Sequence, residues 1–235
     1  MPAQPILLPL TFDLAATFVS ALAGALVAVR RRYDFVGTFA LAFATGVGGA
    51  LIRDGVFLQT GPPAAVRDSR YLLAVLAATL LGVGVNQLGP RVQRVYLLLD
   101  AIGLGTYAVV GADRSLAAGL GHLGAVLVGV TNAVGGGVIR DVLTREEPLL
   151  FKPGQFYAMA ALAAAGLYVG LRAGADLAPV PAAATAATAG VVLRLLAIRY
   201  NWTTRPLYVG YRAEDEQAGS PQMDADERRS DRRPG

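Results

Sequence analysis

Apolar residues in this chain run in long blocks divided by short polar breaks, and they do not alternate or mark a single helical stripe. Blocks of about 20 residues, the length that crosses a bilayer as a helix, lie near 10–29, 35–57, 71–89, 95–112, 119–143, 156–173 and 178–198. The pattern predicts an all-α integral membrane protein with seven transmembrane helices. These spans and their loops use nearly the whole chain, which leaves no room for a second globular domain. Composition agrees: 16% of residues are charged, against about a quarter in a soluble domain.

The polar positions inside the blocks repeat. The second block contains Gly48-Gly49-Ala50-Leu51-Ile52-Arg53-Asp54, and the fifth contains Gly135-Gly136-Gly137-Val138-Ile139-Arg140-Asp141. Gly48 and Gly135, Arg53 and Arg140, Asp54 and Asp141, Asp13 and Asp100, and Gly24 and Gly111 are each separated by 87 positions. Agreement at one offset points to a duplicated unit. Repeat one covers about 10–89, repeat two about 95–173, and the seventh helix about 178–198. Each unit holds three spans, an odd number, so the second copy enters the membrane from the opposite face. Inverted repeats of this kind are typical of transport proteins, with the pathway where the halves meet.

Charge sets the orientation. One set of loops carries Arg67, Arg70, Arg114 and Arg172; the other carries Arg30, Arg31, Arg32, Arg91, Arg94, Arg145 and Lys152, with Arg199 and Arg205 after the last span. The positive-inside rule places the richer side in the cytoplasm, giving an outside N-terminus and a cytoplasmic C-terminus. The first block has no basic residue before it and three arginines after it, the reverse of a secretory signal, so it is read as a retained helix. Residues 1–211 form the membrane domain. Residues 212–235, with five Arg and seven acidic residues, read as a disordered, solvated tail.

The chemistry available to the chain is narrow. It has no cysteine and one histidine, His122, so thiolate and His-cluster metal sites are excluded, and no resident cofactor is expected. No pair of acids has catalytic spacing on one helix, so an enzyme is the weakest reading. The basic residues sit between spans, which speaks against a nucleic-acid partner and for membrane lipids. His122 and Asp113 read as solvated loop residues.

The glycine clusters Gly46, Gly48, Gly49 and Gly135, Gly136, Gly137 allow either of two outcomes. A break would free carbonyl oxygens toward a water-filled passage; alternatively, small residues let two helices pack closely. Recurrence in both halves favours a kink lining a pathway, with Thr45 and Asn132, again 87 apart, offering side-chain oxygens. Ala50 stands where the second copy has Gly137, which predicts a shallower kink in the first copy. Arg53 and Arg140 are expected to pair with Asp13 and Asp100 across helices, since adjacent residues on a helix do not face each other. Snorkelling of the arginines to the interface and N-capping by Asp13 and Asp100 stay open as alternatives. Arg194 is read as an anchor or an inter-helix partner.

Two copies of Gly-Gly-Gly/Ala-x-x-Arg-Asp, each after an Asp-led helix, resemble prokaryotic members of the trimeric intracellular cation channel family. The closing Leu193-Arg194-Leu195-Leu196-Ala197-Ile198-Arg199-Tyr200-Asn201-Trp202 is similar to that family's last helix, and the resemblance spans about 10–203. It implies a homotrimer in the bacterial inner membrane, with a separate pore in each protomer along kinked second and fifth helices. It also implies passive conduction of monovalent cations, potassium or sodium, past sites near Gly48, Gly49, Gly135 and Gly136. Arg53, Asp54, Arg140, Asp141, Asp13 and Asp100 would support the pore or gate it. The same domain is also described as a transporter of a small amino acid such as glycine, and a carrier of that kind is the alternative. No match to the basic lipid-binding motif of the animal members is found.

Overall fold

A computed structural model describes residues 8–85, 92–152 and 156–202, which contain eight α-helices and no strand. They are α1 (Leu10–Arg30), α2 (Phe35–Ile52), the short α3 (Ala64–Arg67), α4 (Ser69–Val85), α5 (Val92–Ala117), α6 (His122–Leu143), α7 (Tyr157–Ala173) and α8 (Pro179–Arg199). A π-helical turn, Arg53–Leu58, continues α2. Local signals set the boundaries. Pro9 precedes α1, and the Asp34 carboxylate caps α2 by accepting the Gly37 N–H at 2.7 Å. Pro179 occupies the first turn of α8, where its missing N–H costs nothing. The charged tail expected over 212–235 lies outside the described residues.

The chain is a multi-pass membrane protein, and its surfaces show why. Five helical stretches are long and apolar enough to cross a bilayer: Leu10–Arg30, Phe35–Leu58, Val92–Ala117, His122–Leu143 and Pro179–Arg199. The other two long helices, Ser69–Val85 and Tyr157–Ala173, are apolar and 17 residues each. Leu73, Leu80, Leu123 and Leu127 are exposed, whereas Asp13, Arg53, Asn132, Arg140 and Arg194 are buried. Apolar outside and charged inside is the arrangement lipid imposes.

The helices α1, α2 and α4 pack on one another, and so do α5, α6 and α7; α1 meets α5 and α2 meets α6 across the halves. The halves are antiparallel. Asp113, near the end of α5, accepts the Leu8 N–H just before α1 at 3.0 Å, while Arg30, ending α1, bonds Gln93 at the start of α5. Helix α8 packs on α5 and α7 and has no mate in the repeat. Interiors are built from small side chains: Ala160, Ala161, Ala164 and Ala165 of α7 face Ala182, Ala183 and Ala186 of α8 in one apolar cluster. Such residues allow the close backbone approach that drives association in lipid.

Candidate functional site between the repeats

The glycine clusters do not interrupt their helices. α-Helical bonding runs through Gly46–Gly49 in α2 and through Gly135–Gly137 in α6, and the Arg53 N–H is accepted by Gly49 and Ala50 carbonyls. Of the two outcomes the glycines allow, close packing is the one the contacts display. A Cβ on Gly49 would lie 2.1 Å from the Asn132 carbonyl oxygen, and one on Gly136 would lie 2.1 Å from that of Thr45. These contacts are mates under the offset of 87, so α2 and α6 cross at the pseudo-two-fold axis. Gly24 and Gly111 make the neighbouring contacts, against the side chains of Thr45 and Asn132. Gly48 and Gly135 face Ile139 and Ile52, again a symmetric pair. No cation fits between Gly49 and the Asn132 carbonyl, and the Gly46 carbonyl accepts the Tyr107 hydroxyl.

The departure from α-geometry falls one turn later, and only in the first copy, as the π turn that begins at Arg53. Gly137 has a separate purpose. Its missing Cβ would stand 2.7 Å from the Tyr157 hydroxyl, so it makes room for an α7 side chain.

Each Arg-Asp motif anchors a buried charge cluster, and the two clusters lie at opposite ends of the bundle. At one end Arg53 Nε donates to Asp54 Oδ1 at 2.6 Å, and its Nη2 lies 3.5 Å from Asp13 Oδ2. The same Asp13 oxygen accepts the Tyr71 hydroxyl at 2.9 Å and lies 3.5 Å from Arg114 Nη2. At the other end Arg140 donates to Asp100 at 2.9 Å and to Asp141 at 2.9 Å, and its guanidinium sits 5.3 Å from the Tyr96 ring centroid. The second oxygen of each motif Asp holds the loop that follows, accepting the Ala64 N–H at one end and the Leu149 N–H at the other.

These contacts answer several expectations. Pairing with Asp13 and Asp100 occurs, but the adjacent Asp54 and Asp141 are partners too, because the long Arg side chain curls back past its own backbone. Snorkelling is excluded, since Arg53 and Arg140 are each 1% exposed. Asp100 lies two turns inside α5 and Asp13 makes no capping bond, so neither is an N-cap. His122 is exposed at the start of α6. Asp113 is not a loop residue: it is buried in α5 and accepts the Tyr168 hydroxyl at 2.6 Å as well as the Leu8 N–H.

Against the Arg140 cluster lies a cavity of about 20 Å³, enough for one or two waters. Thr45, Asp100, Gly136, Gly137 and Arg140 border it, joined by Ser20, Tyr107 and Tyr157. Of the other expected lining residues, Asn132 turns its amide N–H to the Tyr107 carbonyl at 2.7 Å, and Ala50 is fully buried. A vestibule of about 480 Å³ opens at the Arg140 end between Arg30, Gln93, Tyr96 and Glu146. Another of about 260 Å³ opens at the Arg53 end between Asp54, Arg67 and Arg114. Among the described residues, Arg140 alone borders both the cavity and the larger vestibule. Tyr107 also lines the cavity; its hydroxyl lies 2.8 Å from Thr17 Oγ1, which in turn lies 2.9 Å from the Asp13 carbonyl oxygen.

Outside the spans, Arg70 donates to Asp68 at 2.6 Å and holds that exposed carboxyl below the usual carboxylate range. The tyrosines Tyr71, Tyr96, Tyr107 and Tyr157 escape motif reading, although a tyrosine that enters an apolar helical bundle needs a partner for its hydroxyl. Arg194 is the inter-helix partner that was one of its two readings.

Comparison with known proteins agrees with this geometry. A family model described as "Glycine transporter" matches residues 10–87 and again 97–173, one match per repeat. A UPF0126 membrane protein of Deinococcus radiodurans is 41% identical over 155 residues, covering 66% of this chain and 72% of the relative. The inner membrane protein YadS of Escherichia coli is 36% identical over 151 residues, covering 64% and 72%. Among solved structures, a trimeric intracellular cation channel orthologue from Rhodobacter sphaeroides superposes with TM-score 0.76 at 33% identity, covering 81% of this chain and 97% of that one. A second structure, of a TRIC cation channel, gives TM-score 0.71 at 28% identity, covering 85% and 97%. Two matched repeats, an inverted pair of Arg-Asp clusters and a shared fold place this chain, each of whose repeats matches the model described as "Glycine transporter", in the trimeric intracellular cation channel family.

Proposed function

We propose that this protein is a passive channel for monovalent cations of the potassium type, with one pore in each protomer of a homotrimer in the bacterial inner membrane. The observation that carries the reading is a vestibule at each of the two symmetry-related Arg-Asp clusters, with a small buried cavity lined by Asp100 and Arg140 inside the bundle at one of them. Seven helices cross the membrane, because the 17 residues of α4 and α7 are at the lower limit of about 17–25 for a span. The N-terminus is outside and the C-terminus cytoplasmic, which puts the larger vestibule, with Arg30 and Arg31, on the cytoplasmic side. Potassium or sodium ions are the permeants, and no cofactor takes part.

The ion meets side chains more than freed carbonyls. Asp100 Oδ2 accepts no hydrogen bond from the described residues, so one carboxylate oxygen is left for water or a cation beside Gly136, Gly137 and Thr45. Arg53 and Arg140 neutralise the neighbouring aspartates and so set how long an ion dwells. Arg140 lines both the cavity and the larger vestibule and Tyr107 lines the cavity, so conduction requires these two side chains to move.

The alternative is a carrier for a small amino acid such as glycine, which the family description and the inverted repeat support equally. A cavity of about 20 Å³ is too small for an amino acid, and that favours the channel. Planar bilayers containing the purified protein in potassium chloride should show unitary currents far above about 10³ ions per second, the upper end of ordinary turnover numbers. Counter-flow of labelled glycine without unitary currents would instead establish the carrier. The activity is expected to reside in residues 1–211, so a chain ending there should give the same unitary currents.

A further inference from the structure

The two ends of the pathway are not equivalent, and the difference comes from one position where the repeats diverge and from the helix outside them. The position in the first half that corresponds to Tyr157 is Arg70, an exposed residue on α4. Helix α8 has no counterpart at all. Its buried face runs Ala182, Ala186, Gly190, Arg194 at intervals of four, so a stripe of small residues ends in a fully buried guanidinium. That guanidinium lies 4.9 Å from the Tyr157 ring centroid. Tyr157 carries its hydroxyl to the Gly137 backbone, borders the cavity, and stands within electrostatic reach of Asp100, Arg140 and Tyr96.

From this arrangement we infer that Arg194 is a positioning residue for the closure at the Arg140 end: it pins the Tyr157 ring so that its hydroxyl wedges against Gly137 and keeps Arg140 between cavity and vestibule. Each component has a physical reason. A cation over an aromatic face is strongest where water is excluded, and this contact is buried. Gly137 is the position where a side chain would expel the hydroxyl. A buried Arg in a lipid-embedded helix is costly, and the stack on Tyr157 is one of the contacts that hold this guanidinium. The inference rests on the cavity belonging to the transport pathway, whether that pathway serves a channel or a carrier. It makes α8 the element that biases one mouth toward closure.

The chain has no cysteine of its own, so a Ser20→Cys variant places a single thiol on the cavity wall. A membrane-impermeant cationic methanethiosulfonate reagent, added to right-side-out or to inverted membrane vesicles, then reads how often each mouth opens. Adding Arg194→Leu is expected to raise the labelling rate from the Arg30–Arg31 side by about tenfold, the shift expected for loss of a buried cation–π contact. Labelling from the opposite side should be unchanged, and Arg194→Lys, which keeps a cation over the ring, should stay near the parent rate. Tyr157→Phe removes the wedge but keeps the ring, and should reproduce the rise; it decides the question if Arg194→Leu does not fold. An unchanged rate, an equal rise from both sides, or Arg194→Lys labelling as fast as Arg194→Leu would overturn the inference. Labelling does not depend on measuring current, so a protein that shows the one-sided rise but no unitary currents would refute the channel and leave the positioning role standing.

Discussion

Replacing Asp100 by Asn should destabilise the protein by about 3–5 kcal/mol, the usual cost of removing one partner from a buried ion pair. Arg140 is 1% exposed, and its bond to Asp100 at 2.9 Å crosses from α6 to α5. Without that carboxylate its charge is left against Asp141 alone among the acids that bond it, and Asp141 is also committed to the Leu149 N–H. The symmetry-related change, Asp13→Asn, should cost less, about 1–2 kcal/mol. Asp13 stands 3.5 Å from Arg53, which keeps two bonds to Asp54. Thermal unfolding in detergent, followed by circular dichroism, ranks the two variants. If Asp100→Asn melted with the parent protein, the cluster would not be the structural tie described. Replacing the whole cluster, Asp100→Leu with Arg140→Met and Asp141→Asn, should recover most of the stability, because neutral replacements of a complete buried charge group are often tolerated, and the amide in place of the Asp141 carboxylate keeps an oxygen for the Leu149 N–H. The same variant should have altered conduction, since the partition between cavity and vestibule has lost its charge.

A second large effect is expected at the crossing of α2 and α6. Gly49→Ala and Gly136→Ala each place a Cβ 2.1 Å from a backbone carbonyl oxygen of the opposite helix. Backbone cannot rotate away as a side chain can, so the helices must separate, at a cost of about 1–3 kcal/mol for each substitution. Gly84 offers the control: nothing lies within 4 Å of the Cβ it would gain, and Ala there should stabilise the helix by roughly 0.5–1 kcal/mol. Opposite signs at Gly49 and Gly84 in the same thermal assay are the expected result. Equal melting temperatures would mean that the glycine crossing does not hold the halves together.

Much of the architecture was legible without coordinates because lipid simplifies the code. Every crossing helix must satisfy its own backbone, so block length alone locates it, and the spans near 35–57 and 119–143 agree closely with Phe35–Leu58 and His122–Leu143. The offset of 87 was equally plain, and it pairs residues whose contacts prove symmetric: Gly49 on Asn132, Gly136 on Thr45. The purpose of the glycines was not legible. Flexibility and close packing call for the same residue, and only the facing carbonyl decides between them. Asp113 was misplaced because a charge near a span end looks solvated until Leu8 and Tyr168 are seen to hold it.

By itself, the sequence determined that this is a membrane protein of two inverted copies with charge at both ends, since hydropathy and repetition are properties of order along the chain. Tertiary structure decided what each special residue does. It put the glycines at the crossing of α2 and α6, and it gave Arg53 and Arg140 both neighbouring and distant aspartates. It also brought Arg194, from the helix with no mate in the repeat, onto the ring of Tyr157 beside the cavity. The reason is that contacts between helices depend on rotation and depth, which a pattern of apolar blocks leaves free.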